Sequence, residues 1–270
     1  MIIMTTELLT SFRRSLGSAA AGVLLLLPAL METGCASGVD PRSPATVSRV
    51  RDSAILLGVP EHSTYSSATA VSDRLVLTTR HSTGSLIKGS PLWNHRSGVF
   101  SADPLASGSG EIPCDDDMES IEQFLERSTR DWCLVRVPNS VVGEGVAGGV
   151  LGLNTTSFVT LRPGDTVLAG GHFLPPTPEL DSIRRGATFR LGYGEVTECT
   201  SDGIIRYRLL GGDPLTSGMS GGPIFALVDG EPILVGITIG EYTRFLSGTV
   251  QVGLCIPEEV LATVSNDRSP

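Results

Sequence analysis

Lysine, aromatic rings and long apolar runs are all scarce in this 270-residue chain, and each shortage narrows what the chain can be. Its cations are arginines apart from Lys88, and the formal net charge is −9 with a pI near 4.9. A nucleic-acid-binding face needs clustered Lys and Arg to displace counterions from phosphates. No stretch supplies one, so nucleic acid is set aside as a partner. Aromatic residues make up 5%, which leaves any core to Val, Leu, Ile and Ala. The longest apolar run, Ala19 to Met31, falls short of the roughly 20 residues that span a bilayer. Histidine is also rare, at four residues, so a catalytic base has few candidates.

What is present points to a turn-rich globular protein. Hydrophobic residues make up 40% and charged residues 18%, enough for a packed core. Gly 32 and Pro 17 imply many turns, which suits short β-strands.

The N-terminus reads as a leader. Arg13-Arg14 precedes the apolar run, and Glu32-Thr33-Gly34-Cys35-Ala36-Ser37-Gly38 follows it. A basic flank, a short apolar stretch and small residues make a secretory signal. A buried helix fits less well, because Pro28 would interrupt it. Gly34-Cys35 resembles a bacterial lipobox, whose Cys becomes lipidated, although Glu32 stands where Leu is usual. Cleavage after Ala36 satisfies the small-x-small rule as well. The expectation is an exported protein: a periplasmic or outer-membrane lipoprotein attached through Cys35, or else a secreted one. Residues 1–38 are then the signal peptide and 39–52 a tether.

From residue 53 the pattern is strand and turn. Strands are expected over Ser53–Val59, Ala68–Val71, Leu75–Thr79, Trp132–Val137, Ser157–Leu161, Thr166–Ala169, Gly194–Thr197, Ile204–Leu209, Pro223–Leu227, Ile233–Ile239 and Val250–Ile256. Asp229-Gly230 is a strong hairpin signal. Helical signals are confined to Ser120–Arg127 and Pro257–Val264. Many short strands argue for an all-β sandwich or barrel. The Gly-rich stretch Val141–Gly152 divides it into halves at 53–150 and 151–264, with 265–270 as a tail.

The chemistry centres on Gly218-Met219-Ser220-Gly221-Gly222-Pro223. Serine is a weak nucleophile until a base takes its proton and donors stabilise the oxyanion. Glycines around it permit a tight turn that gathers N–H groups in one pocket. The same string fits the nucleophile elbow of α/β-hydrolases. There, however, a helix follows the Ser and the His comes later in the chain. Here no His follows Ser220, and Pro223–Ile239 reads strand, turn, strand. The elbow is excluded, and the subtilisin order is disfavoured for want of the helix.

The base must therefore be His62, His81, His95 or His172. His81 ends an apolar strand, where an imidazole can be held rigidly; the other three read as surface or core histidines. Asp131 heads the apolar strand Trp132–Val137, where a carboxylate can be buried to orient the imidazole. Asp115-Asp116-Asp117 is the rival acid, but a charge run beside Pro113 reads as a solvated loop rather than a calcium site. No metal or cofactor is called for.

In the order His81, Asp131, Ser220, these segments resemble trypsin-like serine peptidases over residues 53–264. Thr78-Thr79-Arg80-His81 is similar to the family's Thr-Ala-Ala-His. Asp131–Val137 is similar to its Asp-Ile-Ala-Leu-Leu strand, and Val235-Gly236-Ile237-Thr238 to its Val-Gly-Ile strand. Gly253-Leu254-Cys255-Ile256-Pro257 resembles the last strand of bacterial HtrA-type proteases, without room for a PDZ domain. The resemblance implies two six-stranded antiparallel β-barrels with a short C-terminal helix and a catalytic set in the cleft between them. It further implies that Ser220 attacks the carbonyl, His81 moves the proton and Asp131 orients His81. The N–H groups of Gly218 and Ser220 form the oxyanion hole, and Pro214, Thr238 and Gly240 contact a protein or peptide substrate.

Some departures from the family stand out. Ser67-Ala68-Thr69-Ala70 replaces Gly-Ser/Thr-Gly-Phe, a change read as touching strand packing more than chemistry. Met219 replaces the acid that captures a freed N-terminus in animal digestive members. Pro214 replaces the specificity Asp, and Thr238 the His of glutamyl endopeptidases, so preference for basic or Glu residues is unsupported. Cys114, Cys133, Cys199 and Cys255 allow two disulfides in three pairings, with Cys133 and Cys255 equally readable as core thiols. Against the serine endopeptidase stands a catalytically silent binding module on the same fold.

Overall fold

The computed structural model describes residues 42–59, 64–84, 86–94, 98–109, 120–138, 142, 160–173, 188–244 and 248–267. The signal peptide with Cys35, the histidines His62 and His95, the Asp115–Asp117 run, Cys114 and most of the Gly-rich divide lie outside the described residues. Among the described residues no helix is long and apolar enough to cross a membrane.

Helix α1 spans Pro44–Ser53, most of the stretch expected to be a tether. Ser43 caps it by accepting from the Thr46 N–H at 3.2 Å, and Pro44 opens it, which is where a helix tolerates the missing N–H. It is not a free spacer: Val50 is fully buried, packed on the strand that carries Gly170.

The N-terminal half is an antiparallel sheet of β1 (Ala54–Val59), β2 (Thr64–Ala70), β3 (Leu75–Thr78), β4 (Pro91–Asn94), β5 (Gly98–Ser101), β6 (Asp103–Ser107) and β7 (Cys133–Arg136). Their order is β5-β4-β1-β2-β3-β7-β6. The edge strands β5 and β6 are one stretch of chain bent at Ala102, whose N–H still bonds Ser90 O at 2.8 Å beside β4 before Asp103 takes up pairing with β7. Counted as one bent strand they make the expected six, and the bend joins the two edges. The sequence shows little of β4 to β6, because strands this short carry too few residues for an alternation to register. Strand β1 is buried at every position, so it reads as a continuous apolar run.

The C-terminal half is a closed barrel, β10-β13-β12-β11-β8-β9. Its strands are β8 (Thr166–Phe173), β9 (Thr188–Cys199), β10 (Ile204–Gly212), β11 (Pro223–Val228), β12 (Glu231–Arg244) and β13 (Gly248–Cys255). The Asp229-Gly230 turn joins β11 to β12, with both residues at positive φ, 51° and 85°, as a tight hairpin of this hand requires. Residues 160 and 161, the only described part of the strand expected over 157–161, belong to no strand.

Two further helices lie where the sequence placed them: α3 (Ile121–Ser128), capped by Ser120, and α4 (Glu258–Asp267), after Pro257. A single turn, α2 (Arg80–Thr83), follows β3. Leu77, Leu134, Leu168, Phe225 and Ile237 are almost wholly buried. Each such side chain stabilises the fold by roughly 1.5–3 kcal/mol relative to exposure. The described residues from 42 onward belong to one compact unit.

Candidate active site

His81 sits in the first turn after β3. Thr79 precedes the turn, and its hydroxyl donates to Ser82 Oγ at 2.7 Å, bracing the corner. Strand β3 pairs with β7 through Thr78 and Cys133, which sets α2 beside the residue that enters β7. That residue is Asp131, only 3% exposed. Its Oδ1 accepts the backbone N–H of His81 at 2.8 Å, and its Oδ2 meets His81 Nδ1 at 2.5 Å. A carboxylate gripping both the main chain and the ring fixes the imidazole's position and its tautomer together. The His81 side chain remains one-third exposed toward the cleft.

Ser220 comes from the other half, in the turn before β11. Its Oγ donates to Ile239 O at 3.1 Å. That acceptor is free because β12 bulges there: the ladder with β13 steps from Thr238 to Gly240 and skips Ile239. Ser220, His81 and Asp131 line one cavity of about 210 Å³, together with Phe124 and Ser128 of α3 and the β12 segment Ile239 to Glu241.

The loop around Ser220 is held almost group by group. Met219 N–H donates to Thr216 O (3.1 Å), Gly221 N–H to Thr238 O (2.7 Å) and Gly222 N–H to Met219 O (3.0 Å). Among the described residues, the N–H groups of Gly218 and Ser220 have no acceptor. These two are the donors expected to stabilise an oxyanion. Gly218 adopts φ 90°, a backbone conformation costly to any other residue. Gly222 has no room for a side chain, since a Cβ there would lie 2.2 Å from Gly170 O.

A second cavity of about 140 Å³ opens beside Ser220. Its walls are Leu215 to Ser217, Met219, Thr238, Gly240, Glu241 and Gln251. Cavities of roughly 150 Å³ admit a benzene-sized group, which suits one amino-acid side chain. Thr238 and Gly240 line it as expected; Leu215, rather than Pro214, forms the wall before the Ser217 corner. Glu241 is the charged residue of this pocket, held by Gln251 Nε2, which donates to Glu241 Oε2 at 2.7 Å.

His172 is elsewhere. Its ring is buried on β8 with Nε2 3.4 Å from Ala54 O and packs edge-to-face on Phe189, as a core histidine does. The sequence reading missed the part played by the Ser67–Thr69 stretch. Ser67 Oγ donates to Gly218 O at 2.9 Å, and Thr69 Oγ1 donates to Gly221 O at 2.8 Å. The available signal was a strand rich in hydroxyls, with Ser66, Ser67 and Thr69 all buried, since buried hydroxyls require partners.

Among the described residues no cluster of His, Cys, Asp and Glu is arranged to hold a metal ion.

No protein-family model matches the chain, and no curated protein matches it in sequence. Solved structures do match in fold. A Glu endopeptidase complexed with MPD aligns at TM-score 0.51 and 17% identity, covering 81% of this chain and 91% of its own. Mouse neuropsin, a serine protease, aligns at 0.52 and 15% identity, over 81% and 96%. A scabies mite inactivated protease paralogue aligns equally well, at 0.52 and 13% identity, over 81% and 94%. The chain has the two-barrel chymotrypsin-like fold. Because an inactivated protein shares it as closely as a working protease, the fold leaves activity to be argued from the site.

Proposed function

We propose that the protein is a serine endopeptidase that cleaves peptide bonds through an acyl-enzyme formed on Ser220. The observation that carries this reading is the double contact of buried Asp131 with His81, in a cavity shared with Ser220. A silent binding module gains nothing from burying a carboxylate against one imidazole, a costly arrangement unless the charge is used.

In this reading the Ser220 hydroxyl turns about χ1 from Ile239 O to the imidazole. His81 accepts its proton through Nε2 as the oxygen attacks the scissile carbonyl, while Asp131 holds Nδ1–H and stabilises the imidazolium. The oxyanion that develops is met by the N–H groups of Gly218 and Ser220. His81 then passes the proton to the leaving amine, and water repeats the sequence to release the acid. The substrate backbone lies along the Ile239–Glu241 segment, with one side chain in the pocket walled by Leu215, Thr238 and Gly240. The leader-like N-terminus supports export, with Cys35 as the point of lipid attachment in the anchored form.

The test is labelling by a fluorophosphonate, which reacts only with an activated serine. Wild type should label stoichiometrically, and Ser220→Ala should not label while keeping its unfolding midpoint. A folded wild type that stays unlabelled would overturn the reading and favour the silent module.

A further inference from the structure

We infer that Ser67, in the N-terminal half, is a positioning residue for the oxyanion donors in the C-terminal half. The inference rests on the serine-endopeptidase reading and extends it to a residue that touches no reacting atom.

Among the described residues Gly218 O receives two hydrogen bonds, both from Ser67: the backbone N–H at 2.8 Å and the Oγ–H at 2.9 Å. Ser67 Oγ in turn accepts the His172 N–H at 2.8 Å, which fixes its rotamer and leaves its proton for Gly218. Ser67 is fully buried, so no water competes for these bonds. Its own carbonyl is held by Thr78 Oγ1 at 2.9 Å, two residues before the His81 turn. Gly171 makes room for the hydroxyl, for a Cβ there would stand 2.9 Å from Ser67 Oγ.

The consequence for catalysis follows from the dihedral at Gly218. Once its carbonyl is pinned by two donors, the backbone dihedrals of Gly218, φ 90° among them, set where its N–H lies. A glycine can otherwise swing through many φ values at little cost, and a swing removes one of two oxyanion donors. The pinning groups belong to the same strand pair, β2 and β3, that delivers His81. Base and oxyanion donor are thereby registered to one piece of the fold, across the interface between halves. Nothing about the Ser67 hydroxyl is needed to keep β2 in its sheet, since its backbone ladder with Leu56 is intact without it.

The test compares Ser67→Ala with Ser66→Ala, whose hydroxyl, among the described residues, donates to Ser67 O at 3.3 Å. The readouts are kcat, KM, the fluorophosphonate labelling rate, the affinity for an arylboronic acid that mimics the tetrahedral intermediate, and the unfolding midpoint. Removing a direct oxyanion donor costs roughly 10²–10³ in kcat; loosening one is expected to cost about tenfold to a hundredfold. Ser67→Ala should lose that factor in kcat, in labelling rate and in boronate affinity, with KM within about threefold of wild type. Ser66→Ala should keep wild-type kcat whatever it does to stability. If Ser67→Ala does not fold, Ser67→Cys, which retains a weak donor, should fold and show a smaller loss of the same pattern. Equal kcat and boronate affinity in wild type and the Ser67 variants would overturn the assignment. So would a loss confined to KM. An unlabelled wild type would instead overturn the endopeptidase reading, so the two failures are told apart.

Discussion

Replacing Asp131 by asparagine changes one oxygen to an NH2 group and should nearly silence the enzyme, for a reason the geometry dictates. The side chain must keep an acceptor toward the His81 backbone N–H, which can only donate, at the position now 2.8 Å away. The amide oxygen therefore takes the Oδ1 place, and the NH2 group faces His81 Nδ1, where Oδ2 now lies at 2.5 Å. An NH2 group donates, so Nδ1 has to become the acceptor and the ring proton moves to Nε2. The imidazole then has no lone pair for the Ser220 proton. In the Ser-His-Asp template this wrong tautomer lowers kcat by about 10⁴, equivalent to about 5.5 kcal/mol of activation free energy. Asp131 is buried and both its contacts are retained in shape, so the same size of loss is expected here with little change in the unfolding midpoint. The assay is kcat/KM on a fluorogenic peptide, backed by the rate of fluorophosphonate labelling. A folded Asp131→Asn variant within tenfold of wild type would refute the orienting role and return the acid to one of Asp115, Asp116 or Asp117.

Other outcomes follow from the same contacts. Gly221→Ala should cost about 3 kcal/mol or more in denaturant unfolding, because Gly221 has φ 82° and a Cβ would lie 2.2 Å from Ser67 O. Near-native stability of that variant would show the loop to be looser than described. Glu241→Gln should raise cleavage after acidic residues relative to basic ones by roughly two- to five-fold, the scale of one exposed charge; an unchanged ratio in a peptide-library profile would remove Glu241 from the pocket's selectivity. Cys199 Sγ and Cys255 Sγ stand 4.0 Å apart, a small rotation from the roughly 2.05 Å of a disulfide. Oxidised glutathione should link them and raise Tm by roughly 10 °C through the loop it closes, read by mass spectrometry of the cross-linked peptide. Cys133, whose thiol burial pushes up to about 11, should resist iodoacetamide at pH 8 throughout.

The parts of this molecule legible in its sequence are those with strong local signatures. The run Leu75–Thr79 into His81, the acid at the head of an apolar strand and the Gly-flanked Ser220 are each written within a few residues. The Asp229-Gly230 hairpin is likewise dictated by two residues that tolerate positive φ. Helix α1 was hidden because it is stabilised by tertiary contact: Val50 finds its pocket on β8, more than a hundred residues onward, while the local sequence is polar and proline-bearing. The role of Ser67 was hidden for the same reason, since its partner Gly218 lies 151 residues away. A bulge at Ile239 has no composition of its own; it is visible only in the register of β12 against β13.

That sequence distance between Ser67 and Gly218 also bears on when the protein becomes active. Closing a loop of that length is slow and entropically costly, and contacts this remote form late in folding. His81 and Asp131 lie 50 residues apart within the N-terminal half and can meet before the C-terminal barrel is complete, whereas the Val50 face of α1 has its partner only once β8 is in place. The proposed oxyanion donor Gly218 is held by Ser67, so its orientation is expected to become fixed only when the C-terminal barrel closes against the N-terminal half. On the endopeptidase reading, a chain caught partway carries His81, Asp131 and Ser220 without the fixed donors, so cutting power is expected to appear only with the completed fold.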